Sequence, residues 1–175
     1  MPPSDKALVP FVSVDHMMQI VHRVGLAQMI TRIAEAIEED FRRWDSFDKT
    51  PRVAAHSPLG VIELMPTAND RQYAFKYVNG HPKNTVDGLQ TVTAIGLLAD
   101  MDSGYPLLLS EMTLLTALRT AAMSAVAAKH LAPTGAKTMA LIGNGAQAEF
   151  QSIAMQAICG LETVRLYDTD PQATA

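Results

Sequence analysis

Apolar residues recur at intervals of three and four between Leu26 and Trp44, where Ile30, Ile33, Ala34, Ile37, Phe41 and Trp44 form one stripe and Arg32, Glu35, Glu38, Glu39, Arg42 and Arg43 take the remaining surface. That spacing predicts an amphipathic helix whose apolar side covers a sheet. A shorter helix is predicted before it, from about Val14 to Arg23, with Ser13 as its cap and Gly25 as the break. Between Lys49 and Ser110 the pattern changes to short β-prone runs: RVAAHS, GVIELM, RQYAFKYVNG, LQTVTAIGLLAD and YPLLLS. They are separated by Ser57-Pro58-Leu59-Gly60, Asn69-Asp70, Asn79-Gly80-His81-Pro82 and Asp102-Ser103-Gly104. Connections this short predict mostly antiparallel pairing.

Ser110, followed by Glu111 and Thr113, opens a long predicted helix that ends near Leu131, with Leu114, Leu115, Leu118, Ala121, Ala122 and Ala125 on one broad side. The alanines permit close approach of a neighbour. Pro133, Thr134 and Gly135 mark a boundary, after which TMALIGNG reads as a strand running into a glycine turn. A helix from about Gln147 to Ile158 and a strand from Thr163 to Tyr167 complete a β-α-β unit. The expected class is therefore α/β: a mostly antiparallel sheet-plus-helix domain over residues 1–132, then the opening portion of a parallel domain over 133–175. Two strands and one helix fall short of the two-sided parallel sheet such a domain needs.

Composition narrows the functional classes. The chain has 175 residues, 14 basic and 18 acidic side chains and a formal charge of -4, which suits one well-buried core or two small ones. Without a cluster of Lys and Arg there is no electrostatic footprint for DNA or RNA, so nucleic acid is not an expected partner. Cys159, the single cysteine, sits in an apolar helical stretch and cannot form an intrachain disulfide or a cysteine metal cluster. A buried thiol in a reducing, cytoplasmic compartment is expected. MPPSDKALVP lacks the apolar segment of a signal peptide, and no run reaches the roughly 18 apolar residues of a membrane span. His56 and His81 have no accompanying HxH or HExxH spacing, and no metal is expected.

Chemistry enters at Gly143-Asn144-Gly145-Ala146-Gln147-Ala148, a GxGxxA pattern between a strand and a helix. The first glycine permits the tight turn, the second lets the backbone approach a pyrophosphate, and Ala148 keeps the helix close to the strand. Asp168 lies twenty-three residues past Gly145 at the end of the next strand, where a carboxylate accepts hydrogen bonds from an adenosine ribose and disfavours a 2'-phosphate. NAD is thereby favoured over NADP. A strand-to-helix turn also carries glycines for purely structural reasons, and an acid after a strand is often only surface.

The stretches PRVAAHS, IELMP, FKYVNGHPKNT, GLQTVTAIGLLADMDSGYPLLLSEMTLLTALRTAAMSAVAAKHLA and ALIGNGAQAEFQ resemble the ornithine cyclodeaminase and mu-crystallin family, in the same order throughout. The SEMTLLTALRTAA wording is more similar to bacterial ornithine cyclodeaminases than to the alanine dehydrogenases or ketimine reductases of the same fold. The resemblance implies the N-terminal half of a protein about twice this length. It implies a substrate-binding and dimerisation domain over 1–132, the first part of a Rossmann NAD-binding domain over 133–175, and a homodimer built by packed sheets. Matched residue by residue, Arg52 and Arg119 are carboxylate-binding arginines, Lys76 lies near the same carboxylate, and Glu63 lies near the substrate amines. Lys76 and Glu63 are the catalytic candidates. Thr91, with Arg119, approaches the nicotinamide end of the cofactor; Gly143, Asn144, Gly145, Ala146 and Gln147 form the pyrophosphate turn, and Asp168 binds the ribose.

The implied reaction converts L-ornithine to L-proline and ammonia with catalytic NAD+: Cα loses hydride, the side-chain amine attacks that carbon, ammonia departs and hydride returns. The aspartate the family uses for acid/base work has no counterpart in these residues. A related amino-acid dehydrogenase or ketimine reductase, or a truncated non-catalytic dimerisation module, fits the same resemblance. Two guanidiniums and an ammonium suit a carboxylate held rigidly for hydride transfer. By alternation Lys76 shares a face with Ala74 and Val78, and Glu63 with Val61 and Met65. Taken alone, Lys76 also fits a stem along an edge strand, Arg119 a solvated arginine, and Glu63 a partner for a neighbouring cation.

Overall fold

The computed structural model describes residues 8–174. MPPSDKA, on which the expected lack of an export signal partly rests, lies outside the described residues, as does Ala175. The chain divides into two compact units: one takes the residues up to Met18 together with Arg43–Leu114, the other Gln19–Arg42 with the residues from Leu115 onward. These units follow packing, whereas the expected boundary after residue 132 falls at Pro133, Thr134 and Gly135.

The first unit is built on a six-stranded sheet of β1 (Phe11–Val12), β2 (Val53–Ser57), β3 (Gly60–Ala68), β4 (Gln72–Gly80), β5 (Ala94–Asp100) and β6 (Pro106–Glu111). Its order is β1-β6-β5-β4-β3-β2, an antiparallel meander with β1 added in parallel at the β6 edge. Turn chemistry sets the register. Ser57 Oγ accepts from the N–H groups of Leu59 and Gly60, both at 3.2 Å. Asn69 Oδ1 accepts from those of Arg71 and Gln72 at 2.9 and 2.8 Å, and Asp100 Oδ1 from Ser103 N–H at 2.8 Å. One expected turn moves: Asn79 and Gly80 remain in β4, and the chain reverses through a 3₁₀ segment, Pro82–Asp87, closed by Gly88 at φ 69°. The two residues of β1 are too short to show any period.

Helix α1 (Val14–Val24) begins where Ser13 Oγ accepts from His16 N–H at 3.3 Å, and Gly25 at φ 88° separates it from α2 (Leu26–Arg42). The predicted extension of α2 to Trp44 is replaced by a 3₁₀ turn, Trp44–Ser46. Ser110 and Glu111 close β6 rather than opening the next helix, α3 (Thr113–Leu131). The Glu111 carboxylate still caps α3, accepting from the N–H groups of Thr113 at 2.8 Å and Leu114 at 3.2 Å.

In the second unit α3 buries Leu118, Ala121, Ala122, Ala125 and Val126, and α2 packs against α4 (Ala148–Cys159). Glu38 joins α2 to α3 by pairing with Lys129 at 2.9 Å and His130 at 3.0 Å, and the hydrogen bond from Lys129, then that from His130, holds its carboxyl below the usual range. The strands β7 (Thr138–Ile142) and β8 (Thr163–Tyr167) pair in parallel with Thr138 opposite Thr163, giving the expected β-α-β order. Cys159 is half-buried beside the Ala125 carbonyl, and burial pushes its thiol pKa up. No helix among the described residues is long and apolar enough to cross a membrane.

Replacing Glu111 by Ala removes the acceptor that caps α3 and is expected to cost about 1 kcal/mol, the usual worth of a helix cap. Urea unfolding checks this: the midpoint falls with an unchanged slope, and Glu111→Gln, which keeps an acceptor oxygen, loses less. An unchanged midpoint in Glu111→Ala would remove the cap from the account.

Candidate functional site

Cross-strand partners share a face of a sheet, so the register of β4 decides which side chains meet Lys76. Lys76 stands opposite Met65 of β3 and Gly96 of β5, and Gly96 in turn stands opposite Ser110 of β6. The neighbouring row on the same face is Ala54, Glu63, Val78 and Ala94. β4 is interior to the sheet, which removes the reading of Lys76 as a stem along an edge strand. Its side chain, half-buried, borders a hollow of about 260 Å³ with Met65, Thr67, Gly96, Ser110 and Met112.

Arg52, one residue before β2, reaches Glu63 with Nη1 at 3.4 Å from Oε1. The carboxylate thus has a neighbouring cation, while the guanidinium keeps further donors for a second carboxylate. Arg52, Glu63 and Lys76 are brought to one side of one sheet. Thr91 lies just before β5, and its carbonyl accepts from His81 N–H at 2.8 Å. Arg119 sits on the exposed side of α3 in the second unit. Sequence did not bring Gly96, Ser110 and Met112 to Lys76, because the pairing of β4 with β5 and of β5 with β6 spans longer stretches of chain. Gly96 had a local signal, a glycine interrupting a strand. A Cβ at Gly96 would lie 2.8 Å from Met112 Cγ, so a larger residue there would have to displace the Met112 side chain.

The second unit holds the glycine turn. Gly143 adopts φ 95° and its N–H donates to Tyr167 O at 2.8 Å, which ties the end of β7 to β8. Asp168 Oδ2 then accepts from Asn144 N–H at 2.6 Å, and Oδ1 from Asp170 N–H at 2.9 Å. The bond from Asp170, followed by that from Asn144, holds the Asp168 carboxyl below its usual range. Asp168 is therefore part of the turn as well as a candidate ribose ligand.

Several features fit a dinucleotide. A Cβ on Gly145 would meet nothing within 4 Å, and its φ is not in the left-handed region, so the fold itself does not require glycine there. Its backbone is left open, as close approach of a pyrophosphate would require. Gln147 makes no side-chain cap to α4; Ala148 N–H donates to Gly145 O at 2.9 Å, so an anion would find its donors in the N–H groups that follow, with Ala146 adding no bulk. Asn144 Nδ2 donates to Thr174 Oγ1 at 3.0 Å, while its buried Oδ1 has no protein partner. Among the described residues no three His, Cys, Asp or Glu side chains are grouped to hold a metal ion.

The sequence model described as the ornithine cyclodeaminase/mu-crystallin family matches residues 14–175. An ornithine cyclodeaminase of Brucella abortus is 70% identical over 168 residues, which cover 96% of this chain and 47% of that protein. Among solved structures, a lysine cyclodeaminase described as recognising L-lysine, L-ornithine and L-2,4-diaminobutyric acid superposes with a TM-score of 0.84 at 29% identity, covering 94% of this chain and 50% of that one. An archaeal alanine dehydrogenase dimer with bound NAD gives 0.81 at 27% identity, with 94% and 50% covered. The chain spans about half the length of the curated relative it matches.

Asp168 offers a direct test of the turn. Its folded pKa is lowered from 3.8, so the stabilising contribution is fully present above that value and is lost as pH falls through the lower folded value. Carboxyl carbon NMR should give a midpoint below 3.8, with the Asn144 amide shift following the same titration. In Asp168→Asn that coupled titration vanishes. A midpoint at or above the ordinary aspartate value would show that the two backbone bonds do not hold the carboxylate.

Proposed function

The chain belongs to the ornithine cyclodeaminase/mu-crystallin family, and from that premise we propose that its complete gene product is an NAD-dependent enzyme converting L-ornithine to L-proline and ammonia. In this reading residues 1–132 bind substrate and build a homodimer, and residues 133–175 open the Rossmann domain. The observation that carries the reading is the placement of Arg52, Glu63 and Lys76 on one face of one sheet. The 70% identity to an ornithine cyclodeaminase supports the choice of substrate.

The residues divide the work by charge. Arg52 offers the substrate carboxylate paired hydrogen bonds, and Lys76 adds a second positive group that fixes the direction of Cα. Glu63 receives the substrate ammonium, its attachment to Arg52 keeping it oriented before substrate arrives. The chemistry supplied there by NAD+, when bound, would be reversible uptake of hydride. The Gly143–Gln147 turn would hold its pyrophosphate and Asp168 its ribose.

The opposite face of the sheet supports the homodimer. There Val53, Leu64, Tyr77 and Ile95 form one continuous row, and Pro66, Phe75, Leu97 and Leu109 the next. Val53 is 64% exposed and Leu64 42%, an apolar surface that a second sheet would cover. The half-length coverage favours a narrower reading of the 175 residues alone: a substrate-binding and dimerisation module without turnover of its own. The likeness to an alanine dehydrogenase keeps a related dehydrogenase or ketimine reductase as the alternative activity.

The complete gene product, loaded with NAD+, should release proline and ammonia from L-ornithine without accumulating free NADH. Free NADH formed from alanine, or no reaction with ornithine, would transfer the assignment to the dehydrogenase reading. Arg52→Ala and Lys76→Ala should each lower kcat/KM roughly 10- to 100-fold, the worth of one or two charge-assisted hydrogen bonds. On the opposite face, Leu64→Glu should shift the sedimentation of the protein from dimer to monomer. A variant that remains dimeric would place the interface elsewhere.

A further inference from the structure

Asn79 and His81 have no site role in the sequence reading, where they fall in a turn, yet they organise the segment that carries Thr91. We propose that they are positioning residues, locking the Thr91–Thr93 segment to the strand that carries Lys76. The proposal rests on the reading above, in which Thr91 faces the nicotinamide end of the cofactor and Lys76 the substrate carboxylate.

Asn79 lies three residues after Lys76 in β4. Its Oδ1 accepts two short hydrogen bonds from Thr93, one from the backbone N–H and one from Oγ1, both at 2.6 Å. The Asn79 N–H donates to Thr93 O at 3.1 Å, so three bonds join residues fourteen positions apart. A backbone N–H can only donate, which requires the amide oxygen of Asn79 to face Thr93. The amide nitrogen therefore points at His81 Nδ1, 3.3 Å away, and that ring nitrogen must accept, leaving the ring proton on Nε2. His81 N–H adds a bond to Thr91 O at 2.8 Å. The ring is also backed from the β2–β3 hairpin, since a Cβ on Gly60 would lie 2.8 Å from its Cγ.

The consequence is mechanical. Between the 3₁₀ segment Pro82–Asp87 and β5 the chain has no regular structure, and Thr93 is exposed. β4, by contrast, is paired on both sides at Lys76. Asn79 and His81 extend the order of that strand to the segment, so that one strand spaces the two ends of the reacting pair. A displacement of about 1 Å between hydride donor and acceptor costs on the order of 100-fold in rate, while the carboxylate contacts that set binding lie elsewhere.

Asn79→Ser, Asn79→Asp and Thr93→Val in the complete gene product test this. Asn79→Ser should slow single-turnover reduction of bound NAD+ by ornithine by roughly 10- to 100-fold, with KM changed by less than about threefold. Asn79→Asp keeps the acceptor for Thr93 and should recover most of that rate, whereas Thr93→Val, which loses one of the two short bonds, should fall between. Amide exchange at Thr93 should quicken in Asn79→Ser and stay slow in Asn79→Asp, with β4 itself equally protected in all variants. An undiminished rate in Asn79→Ser, an Asp variant as impaired as the Ser variant, or a parallel rise in KM would overturn the positioning role. If the wild-type protein does not reduce NAD+ with ornithine, the functional reading fails by itself. The lock is then decided by exchange, and unchanged protection of Thr93 in Asn79→Ser overturns it.

Discussion

The register of β4 between β3 and β5 is the constraint on which the first unit depends. Side chains alternate across a sheet with a period of two, so a slip of one residue would carry Lys76 to the apolar face and bring Tyr77 beside Glu63. The hairpin turns prevent that slip. Asn69 fixes the β3–β4 connection through two bonds to the backbone, and Ser57 does the same between β2 and β3. The proposed charge pattern for a carboxylate is thus a consequence of turn chemistry some distance from Lys76.

The second unit shows the same dependence in a smaller element. Asp168 is useful to a nucleotide only if it stands next to the glycine turn, and the parallel register of β7 with β8 delivers it there. The bond from Asn144 N–H then makes the acid part of the turn's closure. Gly145 is different: nothing inside the protein occupies the space its missing side chain leaves. A glycine that the fold does not need is the stronger argument for a ligand, because Gly143 at φ 95° is already explained by the backbone.

Much of this was legible in the sequence, because helices and hairpins are written locally. The period in Ile30, Ala34 and Ile37 and the turn residues at Asn69 and Gly104 do not depend on distant partners. What sequence missed was decided by distant contacts. Phe11 and Val12 become a strand only because β6 offers an open edge, and Asn79 and Gly80 stay extended because Thr93 returns to pair with Asn79. Ser110 and Glu111 carry a helix-start signal, yet pairing of Glu111 with Ile95 keeps them in β6 while the carboxylate still performs the capping that the signal implied. The Lys76 surroundings were half legible: alternation named Ala74 and Val78, but Met65 and Gly96 required the register.

One sheet therefore carries two unlike surfaces on the same strands, and this couples them. Lys76 and Tyr77 are consecutive, as are Glu63 and Leu64, so each residue of the proposed substrate face has an immediate neighbour on the proposed dimer face. A face left in water is free to twist and breathe with the sheet, whereas one packed against a second sheet is held to a single curvature. Covering Leu64, Tyr77 and Ile95 would consequently stiffen the backbone from which Glu63 and Lys76 project, without any contact to the substrate. If the dimer forms as proposed, association supplies preorganisation to the charged face, and separating the subunits would be felt first in orientation of the substrate rather than in its charge recognition.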